Sequence, residues 1–173
     1  MRLRRLTIEK AVLTAVMAAW YVAGPQTGYG IGDMSPLHHA LSMVSHANVW
    51  HLAGNLFVLW IMRNRLYLAA SVCIAFVMSF LPVAGPVWPI DGVTTGFSGV
   101  IFAIWGVKWG VHCQSFWPAG REIMREKLWE FCCKALPFAL VGIVIPNVNW
   151  CLHLYCLLGG FMYGRWRWEH FLK

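Results

Sequence analysis

The chain has 173 residues, 59% of them hydrophobic and only 12% charged, with eleven tryptophans and a mean hydropathy of +0.58. That length suits a single domain, 1–173, and that composition excludes an ordinary soluble one. The net charge of +7 gives no support to nucleic-acid binding: Lys and Arg cluster at Arg2, Arg4, Arg5 and Lys10, at Arg63 and Arg65, from Lys108 to Lys127, and at Arg165, Arg167 and Lys173, so every second connection is basic, as when positive loops stay in the cytoplasm.

Uncharged runs recur from end to end, each near the ~20 residues that a bilayer-spanning helix requires. They predict an all-α polytopic membrane protein with six spans and both ends inside. Span one runs from about Leu6 or Ala11 to Ala23, with Trp20 and Tyr21 suited to the outer interface. Its basic start resembles a secretory signal, but further spans follow, so an uncleaved first span is expected. The outside loop from Gly24 to Ser45 holds Gly24, Pro25, Gly28, Gly30, Gly32, Pro36 and the pair His38-His39, which are read as loop residues. It is long for a plain connection and is expected to be functional or partly embedded.

Span two runs from Val49 to Met62 and ends at Arg63 and Arg65; span three, Leu66 to Leu81, is closed by Pro82. The Gly- and Pro-rich segment from Gly85 to Gly99, with Asp91 as its one acid, reads as an irregular outside loop that delivers Ser98 to span four, Ser98 to about Gly110. A cytoplasmic segment from His112 to Lys127, broken at Pro118-Ala119-Gly120, leads to span five, Trp129 to Ile145, with Pro137 as a kink and Pro146 as its end. A tight turn, Asn147 to Asn149, enters span six, Trp150 to about Gly164, and Arg165-Trp166-Arg167 marks the cytoplasmic exit. The six cysteines (Cys73, Cys113, Cys132, Cys133, Cys151, Cys156) contain no C-x-x-C pair and are read as small buried hydrophobes.

Polar groups in apolar helices need a partner or a wet cavity, and by default mark function. They gather in the outer halves of three spans: His46, His51 and Asn55 open span two, Ser98 opens span four and His153 opens span six. His51 and Asn55 are four apart and share a helix face. A serine and a histidine at one depth on adjacent helices can form the hydrogen bond that activates a nucleophile. At a helix start, Ser98 also has unpaired backbone N–H groups near it, and His51 and Asn55 add donors for an oxyanion. Asp33 and Asp91 lie in loops, so a Ser–His dyad is expected, with no carboxylate behind His153. Gly99, Gly106 and Gly110 in span four, with Gly160 and Gly164 in span six, carry the small-x-x-x-small spacing that allows near backbone contact. The soluble-hydrolase motif G-x-S-x-G does not apply, because Val100 stands at its last position.

The H-x4-H-x3-N spacing of His46, His51 and Asn55, the match of Gly96-Phe97-Ser98-Gly99 to G-x-S-G, and His153 followed by Gly160 and Gly164 resemble the rhomboid intramembrane serine proteases, across all six predicted spans and in order. The resemblance implies Ser98 as nucleophile and His153 as its general base. It implies His51, Asn55 and the Ser98 N–H as oxyanion donors, His46 as a support of the loop, Gly96 as a point of close backbone approach, and Phe102 as a ring stacked on His153. It further implies clients with transmembrane helices, cut where the helix is weak, in or beside the bilayer, with lateral entry near spans two and five. No cofactor, metal or nucleic acid is implied. The first loop lacks the family's Trp-Arg pair, and Cys156 stands where a glycine is common. A small chain with no appended soluble domain is expected in a bacterial cytoplasmic membrane. Two other readings are a metal or haem protein using His46, His51 and His153, and a rhomboid-like binder of membrane proteins without activity. The intact Ser98 and His153 argue against the second.

Overall fold

The computed structural model describes residues 2–62, 67–82, 93–115, 120–140 and 148–171. They form α1 (Arg2–Ala23), α2 (Pro36–Ser42), α3 (Val49–Ile61), α4 (Leu68–Met78), α5 (Ser98–Ser115), α6 (Arg121–Lys134), α7 (Leu136–Leu140) and α8 (Trp150–Phe171). Arg63 and Arg65, Gly85 with Pro86, Pro89, Asp91 and Gly92, Pro118-Ala119, Ile145 to Asn147 and Lys173 fall outside the described residues.

Helix α5 is the centre. Phe97, just ahead of it, and Val100, Ile101, Ala103, Ile104, Val107 and Cys113 along it are all buried, the pattern of a helix surrounded by others. It packs against α3, α4, α6 and α8. Its closest neighbour is α8, and glycines decide how close. A Cβ built on Gly106 would fall on the Leu157 carbonyl oxygen and 3.0 Å from Gly160 Cα. One turn on, a Cβ on Gly110 would meet Phe161 O and lie 3.0 Å from Gly164 Cα. The same holds from the other side, where Gly160 faces Ala103 and Val107, and Gly164 faces Val107 and Val111. The spaced glycines therefore do bring two backbones into contact.

The amine of Lys10 closes the far end of the bundle. It is buried and donates to the carbonyls of Trp60 (3.0 Å) and Met62, where α3 ends. A cation is favoured there because the last carbonyls of a helix lack partners. Trp60 Nε1 also donates to Thr14 Oγ1 at 3.0 Å, so α1 is tied to α3 twice.

The helices depart from the expected spans in several places, beginning with α1, which starts at Arg2, and α4, which ends at Met78. Helix α2 lies within the Gly24–Ser45 loop: the Ser35 hydroxyl accepts the His38 N–H and Pro36 starts the helix, two signals of an N-terminus. Helix α5 continues past Gly110 to Ser115, because Trp109 and Cys113 still have packing, with the Trp109 and Phe131 rings 5.7 Å apart. Helix α8 continues past Gly164 to Phe171, with Arg167 lying 5.3 Å over the Tyr67 ring. The fifth element starts at Arg121, and it is interrupted at Ala135. Pro137 is the second residue of α7, where its missing N–H costs nothing, so the proline starts a new helix in place of kinking one. Lastly, Cys113, Cys151 and Cys156 are buried as expected, but Cys73, Cys132 and Cys133 are exposed, because they lie on the outer faces of α4 and α6.

Among the described residues no helix is long and apolar enough to cross a membrane. Helices α3 and α4 have 13 and 11 residues, roughly 20 Å or less at about 1.5 Å per residue, against a hydrocarbon core of ~30 Å. Large apolar side chains nevertheless face outward around the molecule, among them Val22, Trp50, Phe57, Val77, Phe138 and Met162.

The glycine contacts make a directional prediction. Gly106→Ala should destabilise the protein by about 1–3 kcal/mol, the usual range for overpacking a tight contact. Gly54, on the open face of α3 with nothing near its Cβ position, should accept Ala with no loss, or with a gain of up to about 1 kcal/mol from helix propensity. Thermal unfolding of the two variants in one detergent checks the contrast.

Candidate active site

Ser98 is the first residue of α5 and is half-buried. The backbone reaches it through Gly96 at φ +112°, a conformation L side chains rarely adopt, with the Gly96 N–H held by Ser42 O at 2.8 Å. His153 lies in the first turn of α8 and is buried, and its Nε2 is 2.9 Å from Ser98 Oγ. Residues 55 apart in the chain meet because the α5–α8 contact brings the two helix starts together. Phe102, one turn after the serine, stacks on the His153 ring with centroids 4.3 Å apart and planes at 24°. His153 Nδ1 has no hydrogen-bond partner among the described residues. A hydroxyl bonded to an imidazole nitrogen is the arrangement in which an oxygen loses its proton as it attacks.

His51 and Asn55 sit against the same loop. Asn48 starts α3 by accepting the His51 N–H on its side-chain oxygen at 2.9 Å, a standard cap. Asn55 shares the core face of α3 with Leu52 and Leu59. A Cβ on Gly96 would press on His51, 2.6 Å from Nε2, and would lie 3.4 Å from Asn55 Nδ2. The absent side chain is therefore what lets both groups reach the backbone two residues before Ser98. Asn55 Nδ2 is buried without a hydrogen-bond partner among the described residues. His46 is fully buried, set edge-on to His51 at 5.3 Å. Its N–H donates to Gln26 Oε1 at 2.9 Å and its Nδ1 donates to Val44 O at 3.1 Å. Gly99 faces Leu152 and Cys156, with the Cys156 sulfur 3.5 Å from a Cβ built on it. The cysteine therefore fills the contact a glycine would leave more open.

The Gly24–Ser45 loop is held without a Trp-Arg pair. Trp20 Nε1 donates to Ser45 Oγ at 3.1 Å and to Pro25 O at 3.2 Å, so this indole ties the end of α1 to both ends of the loop. Ser45 Oγ also accepts the Thr27 N–H at 3.1 Å. Tyr29 and Thr94 then pair as an isolated antiparallel bridge, with N···O distances of 3.3 and 2.8 Å. Beyond the bridge, Asp33 accepts the Ser35 N–H and meets His38 Nδ1 at 2.7 Å. These bonds, the backbone one foremost, hold its carboxyl below the usual carboxylate range.

His39 corrects the expectation that the His38-His39 pair are plain loop residues. It is 1% exposed and stacked between the rings of Tyr29 (3.9 Å) and Phe80 (4.0 Å). Its Nε2 donates to Asp33 O at 2.8 Å and its Nδ1 is 2.7 Å from Ser79 Oγ. One side chain thus joins the first loop, α2 and the end of α4. His112, likewise expected in a loop, is in the last turn of α5, 5.6 Å from the Trp109 ring. Sequence reasoning also missed Asn149 as a cap for α8, although an Asn directly before an apolar helix signals one. His39 carried no such signal. His39→Ala should destabilise by about 2–4 kcal/mol, since it removes two ring contacts and leaves buried polar partners unmet. His39→Phe keeps the stack and should lose about half as much, as read by thermal unfolding.

Among the described residues no group of three or more His, Cys, Asp or Glu is arranged to hold a metal ion. The family model for the Rhomboid domain matches residues 35–170, which include all of α2 to α5 and every residue of the site. No curated protein and no solved structure matches the chain. The chain belongs to the rhomboid family and is a membrane protein.

Proposed function

We propose that the protein is an intramembrane serine endopeptidase that hydrolyses peptide bonds in or next to the transmembrane helices of its substrates. The observation that carries this reading is the 2.9 Å contact between Ser98 Oγ and His153 Nε2 at the starts of two abutting helices. Six spans with both ends inside, in a bacterial cytoplasmic membrane, complete it. That topology is supported by the alternation of basic connections and by Lys10, which joins the basic start of α1 to the end of α3 that precedes Arg63 and Arg65.

In the reaction, Ser98 Oγ attacks the scissile carbonyl carbon while its proton passes to His153 Nε2. For Nε2 to accept, the resting imidazole carries its proton on Nδ1. The oxyanion of the tetrahedral intermediate is received by the Ser98 N–H at the start of α5 and by donors on His51 and Asn55. The Nε2 proton then goes to the leaving amine nitrogen as the C–N bond breaks. Water, deprotonated by His153, attacks the acyl-serine ester and restores the hydroxyl. Phe102 keeps the ring plane fixed through both transfers, and its face favours the imidazolium that forms between them. No cofactor enters.

A single-span reporter reconstituted with the protein in liposomes tests the reading. Cleavage within or beside the span is expected, falling at least about a thousandfold in Ser98→Ala and in His153→Ala, as for other residues that act as one catalytic unit. Gly96→Ala should lose about tenfold or more by displacing His51. A wild-type protein that binds the reporter and leaves it intact would favour the inactive binder instead.

A further inference from the structure

No carboxylate or carbonyl orients the imidazole of His153, because its Nδ1 has no partner among the described residues. The Phe102 stack fixes the plane of the ring, and its distance from the serine depends on how the first turn of α8 is seated relative to the loop that carries Ser98. Asn149 lies immediately before that turn and serves both sides. Its Oδ1 accepts the Leu152 N–H at 3.0 Å, capping α8, and its carbonyl accepts the His153 N–H at 3.3 Å. Its Nδ2 donates across to Thr94 Oγ1 at 3.1 Å. Thr94 is four residues before Ser98 and is itself fixed by backbone pairing with Tyr29. The amide of Asn149 is thus a strut between the two chain segments whose next functional residues are the serine and the histidine.

We infer that Asn149 and Thr94 are positioning residues that set the Ser98–His153 distance through their side-chain hydrogen bond. The inference rests on the proteolytic reading above. Neither residue touches the reacting atoms. Thr94 and Asn149 are also separable from the rest of the site, since the bond can be cut from either end without removing the cap: Thr94→Val deletes the acceptor, and Asn149→Ser keeps a capping oxygen but is too short to span 3.1 Å contacts on both sides.

A small fluorophosphonate reports the pair without requiring a protein substrate. The rate constant for phosphonylation of Ser98 is expected to fall about tenfold in Thr94→Val and in Asn149→Ser, and no further in the double variant, because misplacing a reacting pair by a fraction of an ångström is enough for such a loss. Thr94→Ser, which keeps the acceptor, should stay within about twofold of wild type. Cleavage of the liposome reporter should show the same fall in kcat with KM unchanged, a split that general loosening of the fold would not give. Wild-type rates in either variant would overturn the proposal, as would equal losses in Thr94→Ser and Thr94→Val. Unfolding of both variants would overturn it too, by making the bond a folding element. Failure of wild-type Ser98 to react at all would instead overturn the proteolytic reading, and this inference with it.

Discussion

The backbone contact between α5 and α8 is the constraint on which the rest depends. In lipid, apolar side chains gain little by leaving their surroundings for one another, so helices associate by close van der Waals packing and by polar bonds. Gly106 against Gly160 and Gly110 against Gly164 supply that packing over two turns. At the other end of the same seam, Gly99 lies against Cys156 and Leu152, and one step further the Ser98 hydroxyl meets His153. The contact between Ser98 and His153 is in effect the last rung of a helix-helix interface. Its geometry is inherited from glycines up to twelve residues away.

The second layer is the arrangement of buried polar groups, which a stable fold would normally pair. His153 Nδ1 and Asn55 Nδ2 are both buried without partners among the described residues, and an unmet buried donor costs roughly 1–3 kcal/mol. Both belong to the group of side chains around Ser98. Elsewhere in the same region His39 is paired through Asp33 and Ser79 and Ser45 through Trp20 and Thr27, while His46 is paired at its N–H and Nδ1 but not at Nε2, and the Tyr29 hydroxyl is also without a partner among the described residues.

How much of this was readable in the chain depends on how local each cause is. The residues that the structure brings together around Ser98 were legible, because His51, Asn55, Ser98 and His153 are polar groups at the heads of apolar runs. Gly96 and Phe102 followed from their spacing to Ser98 through a family resemblance, and Gly106 with Gly160 from small-residue periodicity. The start of α2 and the cap at Asn149 were also written locally, in Ser35-Pro36 and in an Asn before Trp150, but were read as loop and turn. His39 was not legible: its partners Tyr29, Ser79 and Phe80 lie 10 to 41 positions away, and nothing near it in sequence marks it as buried. The break at Ala135 and the outward-facing Cys73, Cys132 and Cys133 likewise follow from which faces the neighbouring helices cover.

The most direct test of the central claim is the location of covalent modification. Protein in detergent treated with a fluorophosphonate should gain one adduct by intact mass, and peptide mapping should place it on Ser98. No adduct should form on Ser98→Ala or, at the same dose, on His153→Ala. An adduct on another residue, or equal modification of Ser98→Ala, would contradict the assignment of Ser98 as an activated nucleophile.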